Sequence, residues 1–222
     1  IMWSLDYFLD AQQRLGFKTI ELWAAEPHVT LDHTGYFEAD ELRRKIESRG
    51  LSVSSLCPED VVYPWQYAAR KPLHAQRSLA YFKHGIELAE VLGAPYMSIN
   101  SGWGDWDEDR EEAWKRSAEH LAILADYAGE HGVTLCMESL RPEESNLVVT
   151  LADARRMLDQ VASPHLTPMV DTTAMGVAGE SLEEWFAEFG DGAIRNMRFI
   201  DGDPYGLSLI HISEPTRLGM IS

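Results

Sequence analysis

The feature that most constrains the fold is a regular alternation of short apolar runs with longer amphipathic segments, from about residue 5 to residue 200. The short runs are rich in Val, Ile, Leu and Met with little polar alternation, which is typical of strands buried on both faces of a parallel sheet. The longer segments carry apolar residues at helical spacing, and several end at a glycine. The alternation therefore predicts parallel strands joined by covering helices.

The pattern predicts the position of each strand and helix. The strands are predicted over residues 19–23, 51–57, 95–101, 133–138, 167–171 and 194–200. The helices are predicted over residues 5–15, 37–49, 73–92, 109–131, 151–160 and 181–189. Because no GxGxxG turn lies in the series, an α/β barrel of the TIM (β/α)8 type is favoured over a Rossmann sheet.

The length of 222 residues is slightly below the ~250 residues of a complete eight-unit barrel. We therefore expect an incomplete TIM barrel over residues 1–206, in which strand one is partial and unit eight is missing. A barrel that is open between its first and last strands exposes unpaired edges. This chain is accordingly expected to aggregate or to be poorly stable.

From residue 207 onward the sequence changes character. Residues 207–217 resemble the translation of a transposase adaptor used in preparing sequencing libraries. A segment of that origin is excluded from fold reasoning. We therefore expect residues 207–222 to be a non-native tail and assign His211 no role in a site. The alternative is a genuine loop after strand seven.

Charge and cysteine usage exclude several classes of protein. The formal net charge of −17 repels phosphate backbones, so no nucleic-acid partner is expected. Cys57 and Cys136 lie in apolar runs without CxxC spacing, which predicts reduced thiols in a cytoplasmic protein. The sequence contains no run of 18 apolar residues, so no membrane segment is expected.

Two carboxylates stand at the ends of neighbouring predicted strands. Glu138 ends the strand over 133–138, and Asp171 ends the strand over 167–171. The carboxyl ends of barrel strands carry the reacting groups, and two carboxylates there can share a divalent metal. Because an unpaired charge in an apolar run is costly, the sequence also predicts a cation beside Glu138.

A purely structural role for both carboxylates stays open. Glu138 then forms a salt bridge with Arg141, and Asp171 bonds to Thr172 and Thr173 as a capping residue.

Three motifs carry a family resemblance: Gly16-Phe-Lys-Thr-Ile-Glu-Leu-Trp23, Leu135-Cys-Met-Glu138 and Met169-Val-Asp-Thr172. In order and spacing, the chain up to about residue 206 resembles the xylose-isomerase-like TIM barrels, particularly the ketose 3-epimerases and related sugar epimerases. The resemblance implies a metal-dependent enzyme that moves a proton at the carbon next to the carbonyl of a ketose or keto-sugar, through an enediolate. Its small-molecule partner is then a sugar, and family members often form homo-oligomers.

The resemblance also implies roles for individual residues. Glu138 and Asp171 match two ligands of a single Mn²⁺, or of Mg²⁺ or Co²⁺, and Glu138 is one half of the acid–base pair. Arg198 stands where a histidine ligand is expected, and a guanidinium has no lone pair for a metal. Either Asp201 or Asp203 substitutes for it, or this member binds metal weakly, differently or not at all. The fourth ligand belongs to an eighth strand, so we expect the chain itself to be inactive.

Further residues are candidates for contact with the substrate. Glu144 matches a substrate-contacting glutamate of the epimerases, and Arg141 is a candidate clamp for hydroxyl or carboxylate groups. The remaining candidates follow strand ends or join them: His28, Glu59, Trp103 and Arg198. The alternative for the charged candidates is a solvated loop, and for the tryptophan it is rim packing.

Two other functions compete with the epimerase. A non-catalytic sugar-binding or assembly barrel is suggested by Arg198 at the expected histidine. A nuclease resembling endonuclease IV needs a histidine-rich metal cluster, whereas Ala174 and Arg198 occupy two of the expected ligand positions. The net charge of −17 further disfavours a DNA substrate.

Overall fold

The computed structural model describes residues 2–61, 64–190, 192–200, 202–203 and 206–207. The helices are α1 (Leu5–Arg14), α2 (Ala39–Glu47), α3 (Pro72–Val91), α4 (Arg110–Glu130), α5 (Leu151–Val161), α6 (Thr172–Val177) and α7 (Leu182–Phe189). The strands are β1 (Thr19–Ala24), β2 (Leu31–Asp32), β3 (Gly35–Tyr36), β4 (Ser52–Pro58), β5 (Tyr96–Ile99), β6 (Thr134–Glu138), β7 (Leu166–Asp171), β8 (Asn196–Arg198), β9 (Gly202–Asp203) and β10 (Gly206–Leu207).

The main sheet has the strand order β1-β4-β5-β6-β7-β8, and every neighbouring pair is parallel. Its two end strands approach each other through side chains, because Asn196 Nδ2 on β8 donates to Glu21 Oε1 on β1 at 3.2 Å. The sheet is therefore curled into an incomplete barrel, which confirms the predicted TIM-type architecture. The carboxyl ends of all six strands face the same end of this barrel.

The core lies between the sheet and its covering helices. Leu56, Met97, Leu135 and Val170 on the central strands are fully buried, as expected of strands covered on both faces. Trp114 on α4 is also fully buried, and its indole Nε1 donates to Gln160 Oε1 at 2.8 Å. Within the described residues, no helix is both long and apolar enough to cross a membrane.

Two local elements were not predicted from the periodic pattern. The hairpin of β2 and β3 is too short to show alternation, and it is held by Asp32, whose Oδ1 accepts bonds from the Thr34 and Gly35 amides. Helix α6 begins directly after β7 and has no apolar stripe of its own. Both elements depend on an aspartate that bonds to the following backbone amides.

The predicted domain boundary, between residues 206 and 207, falls inside β10 (Gly206–Leu207). Strands β9 and β10 form an antiparallel pair in which Leu207 is opposite Gly202. Residues 208–222, which include most of the predicted tail and His211, lie outside the described residues. The assignment of residues 207–222 to a non-native tail stays a prediction.

Candidate active site

Glu138 and Arg198 form a buried ion pair at the carboxyl end of the barrel. Glu138 ends β6 and is only 5% exposed, and Arg198 Nη1 donates to its Oε2 at 2.5 Å. The predicted cation beside Glu138 is therefore present. It is Arg198 rather than Arg141, because Arg141 pairs with Glu144 instead.

The guanidinium of Arg198 also contacts polar side chains of three other strands. Its Nη2 lies 2.7 Å from Cys57 Sγ on β4 and 3.2 Å from Ser98 Oγ on β5. Both Nε and Nη2 approach the carboxylate of Glu21 on β1 at 3.4 Å. The arginine thus connects β8 with β1, β4, β5 and β6, which fixes its position at the mouth of the barrel.

Asp171 caps helix α6 and lines the same cleft as Glu138. Its Oδ1 accepts hydrogen bonds from the backbone amides of Thr173 at 2.8 Å and Ala174 at 2.9 Å. The cleft, with an open volume of about 490 Å³, is also lined by Arg141, Glu144 and Arg198. The two carboxylates that were predicted at neighbouring strand ends therefore line the same cleft. Asp171 also has the capping role that was considered as its alternative.

Burial controls the acidity of the groups in this cleft. It raises the pKa of Glu138 to about 7, although the charge of Arg198 acts in the opposite direction and Asp171 adds to the rise. Burial also raises the pKa of the Cys57 thiol to about 12, so that residue stays protonated near neutrality. Glu138 is thus a carboxyl group that changes its protonation state near neutral pH.

The raised pKa of Glu138 predicts an unusual dependence of stability on pH. Between its usual value of 4.5 and about 7, the folded chain holds a proton that the unfolded chain has released. The contribution is therefore fully present below pH 4.5, and it is lost as the pH rises through 7. Its size is about 3 kcal/mol at most.

Urea unfolding of the wild-type chain and the Glu138→Gln variant at pH 5 and pH 8 measures this contribution. The loss of unfolding free energy between the two pH values is expected to be larger in the wild type than in the variant, which cannot titrate at this position. Equal pH dependence of the two proteins contradicts the assignment of the raised pKa to Glu138.

Arg141 and Glu144 form a paired unit beside the cleft. Arg141 Nη2 donates to Glu144 Oε1 at 2.6 Å, and its Nε donates to Glu144 Oε2 at 3.1 Å. Glu144 also lines an adjoining cleft together with Trp103 and Trp106. Three of the predicted substrate-contacting residues, Arg141, Glu144 and Trp103, therefore lie around one continuous part of the barrel mouth.

The other two predicted contacts lie elsewhere. His28 Nε2 is 2.7 Å from the carbonyl oxygen of Trp3, and the residue lines a separate apolar cleft with Trp3 and Trp23. Glu59 follows β4, and its carbonyl accepts a hydrogen bond from the Tyr81 hydroxyl at 3.0 Å. Neither residue lines the cleft of Glu138 as the structure describes it.

The sequence motifs did not identify several residues of the site. Glu21, Cys57 and Ser98 all contact Arg198. Cys57 and Ser98 stand near the carboxyl ends of β4 and β5, which is a signal that identifies them, whereas Glu21 lies in the middle of β1. Asp60 was not predicted either. Burial and the nearby charge of Glu138 raise its pKa well above the usual value.

The donor atoms in the described residues do not fit a complete divalent-metal site. Glu138 Oε2 is paired with Arg198, and Asp171 Oδ1 accepts two amide hydrogen bonds. Within the part of the chain that the structure describes, no group of three His, Cys, Asp or Glu side chains is placed to hold a metal. Asp201 lies outside the described residues, and so does the side chain of Asp203.

Comparison with known proteins gives the family directly. The family model of the xylose isomerase-like TIM barrel matches residues 9–214. The chain therefore belongs to the xylose isomerase-like TIM barrel family, as its motifs indicated. The matched range extends beyond Gly206, the predicted end of the barrel.

One relative and two solved structures are similar to this chain. The fructoselysine 3-epimerase of Shigella flexneri is 29% identical over 196 residues, which are 88% of this chain and 70% of that protein. A D-psicose 3-epimerase solved in the presence of D-fructose has a TM-score of 0.72 at 17% identity, covering 88% of this chain and 67% of that one. The IolI protein, solved with a binding zinc atom, has a TM-score of 0.69 at 18% identity, covering 91% of this chain and 70% of that one.

Proposed function

We propose that this barrel is a sugar epimerase or isomerase that moves a proton at the carbon next to the carbonyl of a ketose or keto-sugar. The observation that carries the proposal is the buried carboxyl of Glu138 with a pKa of about 7 at the carboxyl end of a barrel strand. A general base works best when its pKa is close to the operating pH. The fructoselysine 3-epimerase relative supports the class of reaction.

The residues of the cleft have separate roles in this reaction. Glu138 takes the proton from the carbon, and Arg198, which is paired with Glu138, stabilises the oxygen that becomes negative. Thr173 supplies a binding group for a sugar hydroxyl, because its buried Oγ1 has no hydrogen-bond partner among the described residues. Arg141 and Glu144 offer charged groups to further hydroxyls at the mouth of the same cleft.

The proposal for this chain does not include dependence on a divalent metal. Since Arg198 already pairs with Glu138, no step in this chain is assigned to Mn²⁺. Inversion at the carbon requires proton transfer on both faces of the substrate, whereas exchange of its proton with solvent requires Glu138 alone. An exchange assay therefore tests Glu138 even if the chain does not complete an epimerisation.

The experiment incubates the chain with D-psicose or fructoselysine in D₂O and follows loss of the carbon-3 proton by NMR. Deuterium is expected to enter carbon 3 in the wild type, and Glu138→Gln is expected to slow this exchange by about 10²–10⁴-fold, the usual contribution of a general base. Glu130→Gln, at an exposed position at the end of α4, is the matched control and is expected to exchange at the wild-type rate.

The outcomes separate the competing functions. No exchange with either sugar, from a chain that circular dichroism shows to be folded, contradicts the proposal. Sugar binding by calorimetry that is unaffected by Glu138→Gln, without exchange, identifies a non-catalytic sugar-binding barrel.

A further inference from the structure

The guanidinium of Arg198 is the charged centre on which the barrel mouth is organised. Polar atoms from four other strands lie within 3.4 Å of it, namely those of Glu21, Cys57, Ser98 and Glu138. Its side chain is only 21% exposed. A cation held by five strands at this depth is part of a built site rather than a surface ion pair.

One oxygen of each of the two carboxylates near this arginine is already in use. Glu138 Oε2 accepts from Nη1, and Asp171 Oδ1 accepts from two backbone amides. The Cys57 thiol, which burial keeps protonated, is a poor ligand because metals bind the thiolate. A guanidinium itself has only N–H donors. A divalent ion placed at Glu138 also stands against the positive charge of Arg198.

We infer that Arg198 serves as the fixed cation of this site, in the place that a divalent ion holds in metal-dependent barrels. The inference rests on the proposed function for its chemical role. As Glu138 takes the proton from the carbon, the electrons of that C–H bond form a C=C bond, and the carbonyl electrons move onto the oxygen. Arg198 keeps all its protons and stabilises the oxygen through N–H bonds, as preorganised donors do for a developing oxyanion.

The Nη2 group is the one that faces the substrate oxygen in this scheme. Two of its three partners, Cys57 and Ser98, are neutral, and the third is the Glu21 carboxylate at 3.4 Å. Exchanging one of the neutral contacts for a negative oxygen strengthens the hydrogen bond. The Nη1 group meanwhile keeps its contact with Glu138. One side chain therefore both positions the base and binds the oxygen on which charge develops.

The test is a titration with Mn²⁺, followed by electron paramagnetic resonance, of the wild type, Arg198→His, and Arg198→His combined with Glu138→Gln. The wild type is expected to bind no Mn²⁺ through Glu138. Replacing the guanidinium with an imidazole adds a lone pair beside Glu138 and Asp171, so Arg198→His is expected to bind Mn²⁺ at least about tenfold more tightly. The added Glu138→Gln change is expected to remove that gain.

Each outcome supports or overturns the inference. Mn²⁺ binding to the wild type that Glu138→Gln abolishes overturns it, and so does an Arg198→His variant that folds but gains no affinity. If Arg198→His does not fold, the wild type and Glu138→Gln alone still decide the question. Deuterium exchange in the wild type is further expected to persist in EDTA. Because metal binding is read without turnover, failure of the proposed function leaves this titration interpretable.

Discussion

Replacing Arg198 with Met is expected to destabilise the folded chain by about 3–5 kcal/mol at pH 8, because removing one partner of a buried ion pair leaves an uncompensated charge. The remaining partner, Glu138, has a side chain that is only 7% exposed. The Glu138 carboxyl must either stay ionised without Arg198 or take up a proton, at a pH where the same carboxyl is ionised in the unfolded chain. Urea unfolding followed by circular dichroism measures the change.

A double-mutant cycle identifies the source of this effect. Adding Glu138→Gln to Arg198→Met is expected to recover most of the lost stability, since no buried charge then remains. The matched control is Arg195→Met, at an exposed position on the approach to β8, where a change within about 0.5 kcal/mol is expected. A loss in the double variant equal to that of Arg198→Met alone shows that packing, not charge, is responsible.

Replacing Trp114 with Ala is expected to cost about 3–5 kcal/mol, the usual loss when a large aromatic side chain is removed from a core. The indole is fully buried and donates to Gln160. The guanidinium of Arg156 also lies 4.1 Å from its ring centroid. Truncation therefore opens a cavity between α4 and α5 and leaves the amide of Gln160 without its donor.

The control for Trp114 is another tryptophan of the same chain. Trp106 is 82% exposed, and its replacement with Ala is expected to change the free energy of unfolding by no more than about 0.5 kcal/mol. Urea unfolding of the three proteins under one condition provides the comparison. A similar loss of unfolding free energy for both variants contradicts the burial of Trp114 of α4 in the core.

The barrel architecture was predictable because burial on both faces of a strand leaves a strong local signal. Glu138 was likewise visible as a carboxylate that ends an apolar run, and the need for a cation beside it follows from the cost of an unpaired buried charge. The identity of that cation was not visible. Arg141 is the nearest arginine in the chain, whereas Arg198 is 60 positions away and is brought close only by the curl of the sheet.

Two other features were not predicted from the sequence. Glu21 appeared in a recognised motif without a role, because its contact with Arg198 joins the two end strands of the sheet. Helix α6 was missed because its start is set by the side chain of Asp171, which was considered first as a metal ligand. His28, predicted as a substrate contact from its place after a strand, bonds to the carbonyl of Trp3, and its contact with a substrate stays a prediction.

The contact between Glu21 and Arg198 joins residues 177 positions apart, and this separation has a consequence for biosynthesis. At usual rates of translation, roughly 10–35 s pass between the synthesis of the two residues. Over the last 60 residues of that stretch, roughly 3–12 s, Glu138 has been made but its arginine has not, so the nascent barrel holds an unpaired carboxylate at its mouth. The Glu138–Arg198 pair is therefore among the last parts of this fold to form, and it forms in the same event that brings the two ends of the sheet together.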